Sequence, residues 1–338
     1  MNGSHKAILC DHSLRKGKKM LLIVSMRGDY HVSYLMERMA QSHRDNTVVF
    51  HTETFPMESS IVLRNYANDS YLQVQGRSIC LGSVSSIWYR RPAHPIIAPS
   101  IVDVDARKYA EGESWDALLG LWEGINGLLV SKPSSIRSAS HKWEQIRRAQ
   151  KLGFKVPKTL ITNNPKEARQ FCGSVGATAV KAVLRSVIAH KDRHEAAYTT
   201  PIDFDDPRIE DVDLAPCIFQ EYVPKQLELR ITVVSDSVFA CAIHSQRSDK
   251  TKHDWRNYDL KNTPHESWVL PKDVERKCKE LVRSYGLNFS AIDMILTPDG
   301  EYVFLELNPN GQWAWIDELT DLPIAEALIR LLFSPAPA

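Results

Sequence analysis

Residues 290–310 constrain the fold more than any other stretch. They read Ser-Ala-Ile-Asp-Met-Ile-Leu, Thr-Pro-Asp-Gly, then Glu-Tyr-Val-Phe-Leu-Glu-Leu-Asn-Pro-Asn. Two apolar runs divided by Asp299-Gly300 predict an antiparallel hairpin, whose two-residue turn needs positive φ at both positions. With that turn Pro298 faces Glu301, and counting outward sets Asp293 opposite Glu306. Facing side chains share one side of a sheet, with Cβ atoms about 4.5–5.5 Å apart. Asn308, two residues beyond Glu306, falls on the same side. Facing carboxylates repel unless a cation lies between them, and two acids with an amide are hard oxygen donors suited to Mg²⁺ or Mn²⁺. The competing reading is an exposed sheet face on which water solvates both acids.

The rest of the chain alternates strand and helix patterns. A strand at 20–26 and a helix at 30–40 open an α/β domain, with strands expected at 47–51, 70–75, 77–81 and from Val84 into Arg90-Arg91-Pro92. A helix follows over 107–128, and the Ser/Pro-rich stretch 131–135 reads as a break and the first domain boundary. Helices are expected at 141–152 and 165–172, and strands at 159–162, 177–183, 217–223, 227–234 and 238–244. The polar segment 184–200 reads as a loop or hairpin, and helices at 271–285 and 322–333 flank the last hairpin. The expected division is a basic extension at 1–19, an N-terminal α/β domain at 20–132, a central lobe at 133–224 and a C-terminal lobe at 225–334.

Composition excludes several classes of function. Forty-two Lys and Arg against 41 Asp and Glu leave a net charge of +1, so no basic field points to nucleic acid or an anionic membrane. No apolar run approaches the roughly 20 residues of a membrane span, and the basic N-terminus lacks the form of a signal peptide. The six cysteines are scattered without C-x-x-C pairs, which reads as reduced thiols in a cytoplasmic protein. His190 and His194 have metal-compatible spacing but no third ligand.

Neither G-x-x-x-x-G-K-[ST] nor G-x-G-x-x-G occurs, so a nucleotide must be held in another way. Lys142 on a helix, Ala179-Val180-Lys181-Ala182, Gln220-Glu221-Tyr222-Val223, Glu228-Leu229-Arg230, Asp293 and Glu306-Leu307-Asn308 occur in an order that resembles the ATP-grasp superfamily. The resemblance covers about residues 140–333. It implies an ATP-grasp fold, α/β with α+β lobes, in which the central and C-terminal lobes enclose ATP. It also implies that Lys142 and Lys181 reach the phosphates, that Gln220, Glu221 and Val223 border adenine, and that Glu228 binds ribose. Asp293, Glu306 and Asn308 would hold magnesium. Read singly, Lys142 is a solvated helix residue, Lys181 a strand-end lysine, and Glu228 with Arg230 a surface ion pair. Residues 183–199 contain no glycine where many relatives have a Gly-rich phosphate loop, so Arg185, Lys191 or Arg193 would have to replace part of its backbone cradle.

A narrower resemblance covers nearly the whole chain after residue 20. Ile87-Trp88-Tyr89-Arg90-Arg91, Leu160 to Pro165, Phe219-Gln220-Glu221, Leu227 to Thr232, Asp254-Trp255-Arg256, Ala291 to Ile295 and Asn308-Pro309-Asn310-Gly311-Gln312-Trp313 are similar to the microviridin-type macrocyclases, the graspetide peptide ligases. This resemblance implies an ATP-dependent enzyme that joins side-chain carboxylates of a ribosomal precursor peptide to Ser/Thr hydroxyls or Lys amines, as ω-ester or ω-amide rings. The cofactors would be ATP with Mg²⁺ or Mn²⁺, and the partner a leader-plus-core peptide, with a homodimer one option for assembly. Such chemistry needs a donor for the acyl phosphate, for which Arg230 and Arg256 are the candidates. In the strand at 227–234, Arg230 shares a face with Glu228 and Thr232, whereas Arg256 lies in a polar loop. Trp313 and Trp315 read as the wall of an acceptor pocket or as core. Two other functions fit the same residues, an amino-acid ligase that extends peptides or proteins and a regulatory nucleotide-binding module without ligation.

Overall fold

The computed structural model describes residues 20–67, 69–184, 187–189, 194–196, 199–257, 259 and 261–334. The extension at 1–19, Cys10, Arg185, Lys191, Arg193, His190 and the side chain of His194 lie outside the described residues. Contacts divide the chain into two compact units, residues 20–135 with 286–288 and 325–334, and residues 136–285 with 289–324.

The first unit is built on β1 (Met20–Ser25), α1 (Tyr30–Arg38), α2 (Gln41–Arg44), β2 (Thr47–His51), β3 (Ser60–Val62), β4 (Tyr71–Val74), β5 (Arg77–Cys80), β6 (Val84–Arg91), α3 (Val104–Gly124) and β7 (Leu128–Val130). Strands β2, β1, β6 and β7 form a parallel sheet in that order, and β3, β4 and β5 an antiparallel one. β1 is buried along its whole length, as expected of a central parallel strand reading Met-Leu-Leu-Ile-Val-Ser. Arg90, at the end of β6, is only 1% exposed and lies 3.7 Å from Asp29. The break expected at 131–135 is instead occupied by the start of α4 (Pro133–Ala139), directly after β7. Ser and Pro there mark a helix start, and Pro at the first position of a helix costs no hydrogen bond.

The second unit carries two sheets. α5 (Lys142–Lys151), β8 (Thr159–Thr162), α6 (Pro165–Val175), β9 (Thr178–Ala182), the hairpin of β10 (Val187–Ala189) and β11 (His194–Ala196), β12 (Thr200–Ile202) and β13 (Cys217–Glu221) come first. They give an antiparallel sheet ordered β12-β9-β13-β8, with the apolar side of α6, Ala168 and Cys172, packed on Phe219, Ile202 and Ile209. α6 is capped by Asn164, which accepts from the N–H groups of Lys166 and Glu167. Then β14 (Leu227–Val234), β15 (Ser237–Ile243), β16 (His265–Trp268), α7 (Lys272–Ser284), β17 (Phe289–Leu296), β18 (Tyr302–Asn308) and α8 (Ala314–Thr320) follow, and α9 (Ile324–Phe333), which belongs almost wholly to the first unit, closes the order. Strands β16-β15-β14-β17-β18 form one antiparallel sheet, and α7 packs across β14, β15 and β17. Among the described residues no helix is long and apolar enough to cross a membrane.

The hairpin of β17 and β18 departs from the two-residue turn. The Gly300 N–H donates to Thr297 C=O at 2.9 Å, the Thr297 N–H to Glu301 C=O at 3.0 Å, and only Gly300, at φ 81°, is left-handed. The loop therefore has three residues, a turn closed by a left-handed glycine. Register near it is displaced by one, so Leu296 faces Tyr302 and Met294 faces Phe304. A bulge at Leu305 then inserts one residue and restores the count, leaving Asp293 opposite Glu306. The expected pair forms because two departures cancel.

Candidate active site

One face of the five-stranded sheet gathers the charges. Arg230 on the central strand β14 pairs with Asp293 on β17, which pairs with Glu306 on the edge strand β18. The guanidinium Nη1 of Arg230 donates to both Asp293 oxygens, at 2.9 and 2.8 Å, and Nη2 donates to Gln312 C=O at 3.1 Å. Asn308 Nδ2 bridges the acids, donating to Asp293 Oδ2 at 2.9 Å and Glu306 Oε1 at 3.1 Å. Lys142, at the first turn of α5, forms an ion pair with Glu306 Oε2. The face is thus not an open surface that water solvates, since the Arg230 and Asp293 side chains are 6% and 15% exposed.

Electrostatics arise from this packing. Burial and the nearby Glu306 raise the pKa of Asp293, and the opposing pull of Arg230 does not offset them. Burial also works to raise Glu306, but Lys142, Asn308 and Lys181 outweigh it and hold that carboxyl well below the usual range.

The facing sheet contributes Lys181, on β9 opposite Ile218 of β13, whose Nζ donates to Gln220 Oε1 at 2.7 Å. Burial lowers its pKa against the attraction of Glu306, and Lys142, Asp254 and Glu228 are close enough to act on it. Gln220 is in turn held by its own donation to Thr159 Oγ1 at 3.0 Å. Glu221 ends β13 with its carboxylate accepting from the Lys158 N–H at 3.1 Å, and half-buried Val223 lies in the segment leading to β14.

Glu228 and Arg230 do not form the surface ion pair that their spacing allowed. Both are buried, and Glu228 accepts from Lys225 at 2.7 Å while Arg230 turns to Asp293. Burial pushes the Glu228 carboxyl up despite Lys225. Lys225 escapes sequence reasoning, and Asp254 of the Asp254-Trp255-Arg256 motif receives no role from it, because each lies in a polar connection that reads as solvent-facing. Asp254, 4% exposed, accepts from Arg256 Nε at 2.8 Å and from the Thr199 N–H at 3.1 Å. Although burial alone would raise Asp254, Arg256 holds its carboxyl below the ordinary value. The Asp254 hydrogen bond raises Arg256, with smaller contributions from Glu306 and Asp293 that place Arg256 in the same field.

Gly311 belongs to the motif from Asn308 to Trp313 but has no role that the sequence assigns. A Cβ there would clash with Ala291 and come within 2.7 Å of Arg230 Nη2, so the absence of a side chain is what seats the guanidinium. Trp313 is fully buried core, whereas half-buried Trp315 meets Trp255 at 5.2 Å and His265 at 5.4 Å between ring centroids. Among the described residues no three His, Cys, Asp or Glu side chains converge on one point. Asp293, Glu306 and Asn308 present two carboxylates and an amide, a donor set that fits Mg²⁺, an ion that commonly takes one or two carboxylates and completes its shell with phosphates and water.

Comparison with known proteins identifies the fold. Residues 20–137 match the family described as MvdD pre-ATP grasp domain, while no curated protein matches. A RiPP-associated ATP-grasp ligase from Chryseobacterium gregarium, solved with ADP and a leader and core peptide, is similar at TM-score 0.85 and 29% identity, over 95% of this chain and 98% of that one. Macrocyclase MdnC from Microcystis aeruginosa, solved with precursor peptide MdnA, is similar at 0.79 and 30%, over 93% and 99%. MdnB from the same organism reaches 0.76 and 28%, over 94% and 100%. The fold is that of an ATP-grasp ligase. Within that class the chain belongs to the graspetide, or microviridin-type, macrocyclase family.

Proposed function

We propose that the site phosphorylates a side-chain carboxylate of a ribosomally made precursor peptide and joins it to a Ser/Thr hydroxyl or a Lys amine, closing an ω-ester or ω-amide ring. The observation that carries this reading is one partly buried cluster in which Lys142, Lys181, Arg230 and Arg256 lie around Asp293, Glu306 and Asn308. Lys142 and Lys181 bind the polyphosphate, Gln220, Glu221 and Val223 border the base, and Glu228 takes the ribose. Asp293, Glu306 and Asn308 would hold Mg²⁺, and the same oxygen set suits Mn²⁺. Bound there, the metal supplies charge neutralisation and alignment for the transferring phosphoryl group.

A peptide carboxylate oxygen attacks the γ-phosphorus, ADP leaves, and an acyl phosphate forms. The acceptor oxygen or nitrogen then bonds to the acyl carbon, loses its proton, and expels inorganic phosphate. Arg230 suits the oxyanion, because its Nε–H meets no acceptor among the described residues while Asp293 and Gln312 fix its plane. Arg256 is oriented in the same way by Asp254. All of these residues lie in one unit of one chain, so a monomer or a homodimer carries the complete set. The reading places the enzyme in the cytoplasm, where precursor and ATP are made.

Isotope transfer tests the reaction class. Peptide labelled with ¹⁸O in its side-chain carboxylates should deliver one ¹⁸O to inorganic phosphate for each ring, and unlabelled phosphate would refute the acyl phosphate. Lys181→Met is expected to weaken ATP binding about tenfold or more while leaving peptide affinity within about twofold, since an ammonium beside polyphosphate is lost and length is kept. Nucleotide and peptide titrations of the same variant check it, and unchanged ATP affinity would reduce Lys181 to a partner of Gln220.

A further inference from the structure

β18 is an edge strand, so part of its backbone needs partners from outside the sheet. Near the turn, the Phe304 N–H donates to Lys155 C=O at 2.8 Å. Past the bulge the partner is a side chain. Gln145 Oε1 accepts from the Leu307 N–H at 3.0 Å, and Gln145 Nε2 donates to Leu307 C=O at 2.8 Å. One amide thus supplies both bonds that a neighbouring strand would make. Its Nε2 also donates to Ala139 C=O at the end of α4, and the residue is 2% exposed.

The position of this amide matters more than the bonds it saves. Gln145 stands three residues after Lys142 on α5, hence on the same side of that helix. Leu307 stands between Glu306 and Asn308 on β18. Clasping the Leu307 peptide fixes α5 along the strand to within one residue, and at that setting Lys142 meets Glu306.

We propose that Gln145 is a positioning residue that sets Lys142 in register with Glu306 and Asn308, so that the nucleotide-binding strength of Lys142 depends on it. The inference rests on Lys142 contacting the nucleotide, as in the function proposed above, and not on which bond the enzyme makes.

A double-mutant cycle in ATP affinity tests it, read by nucleotide titration with thermal unfolding recorded for every variant. Gln145→Met keeps side-chain length and loses the amide. It should weaken ATP binding about tenfold, within the range that misplacement of a contact on the order of 1 Å produces. In a Lys142→Met background the same substitution should change affinity by less than about twofold, while in a Lys181→Met background its effect should persist in full. Equal losses in the Lys142→Met background and in the native chain would overturn the proposal and leave the reading of Lys142 intact. ATP affinity unchanged by Lys142→Met itself would overturn both. If Gln145→Met does not fold, Gln145→Asn, which keeps the amide but shortens its reach to the Leu307 peptide, takes its place in the cycle and is judged by the same outcomes.

Discussion

Glu306→Gln is expected to lower ring formation by about 10²–10³, the several kcal/mol of charge stabilisation from a bound cation converted at about 1.36 kcal/mol per tenfold. It should do so in a protein that still unfolds cooperatively. Glu306 and Lys142 are 26% and 24% exposed, so water remains to solvate the lysine once its partner is neutral. From the sequence alone Asp293→Asn looks equivalent, a charged ligand exchanged for an amide of the same size. The structure separates the two. Asp293 is the bidentate partner of Arg230, and both are largely buried. Removing one member of such a pair typically costs about 3–5 kcal/mol. Asp293→Asn should therefore lose activity to a similar degree and also show a clear fall in Tm. Thermal unfolding measured beside activity distinguishes the cases, and full activity in either variant would sink the metal assignment.

Arg230→Lys should leave ATP affinity within about threefold while single-turnover ring formation falls about 10²–10³, the usual cost of losing an oxyanion donor. A point-like ammonium cannot hold Asp293 and Gln312 C=O together and still present a donor to the reacting oxygen. Gly311→Ala provides a second route to the same defect. Its new Cβ would crowd Nη2 of an unaltered arginine and also press on buried Ala291, so turnover should fall with ATP affinity preserved and Tm should drop as well. If ATP affinity falls as far as turnover in Arg230→Lys, the residue belongs to nucleotide binding instead.

Local pattern revealed most of the site, and tertiary pairing supplied the remainder. The apolar run of β14 and the alternation of β17 and β18 are period-two signals, readable without knowing the neighbours. Asp293 and Glu306 were found through a turn that does not exist in the assumed form, because sequence shows an Asp-Gly pair but not the bulge at Leu305 that compensates for it. Gln145 could have been suspected, since it sits beside Ile146 and Ala149 on the buried side of α5, where an unpaired amide would be costly. Its partner, 162 residues away, is set only by the packing of that helix on β18. Lys225, Asp254 and Gly311 are of the same kind, with meaning that arises from what approaches them.

The central claim is that this cluster closes rings within a peptide and does not add residues to one. Mass spectrometry of a precursor with repeated Thr/Ser/Lys and Asp/Glu, incubated with the protein, ATP and Mg²⁺, tests it directly. The account predicts loss of one water for each ring, with one ATP consumed per loss, and the same loss slowed about 10²–10³-fold with Glu306→Gln. A product whose mass rises by whole residues when free amino acids are supplied would contradict it and mark the chain as an amino-acid ligase.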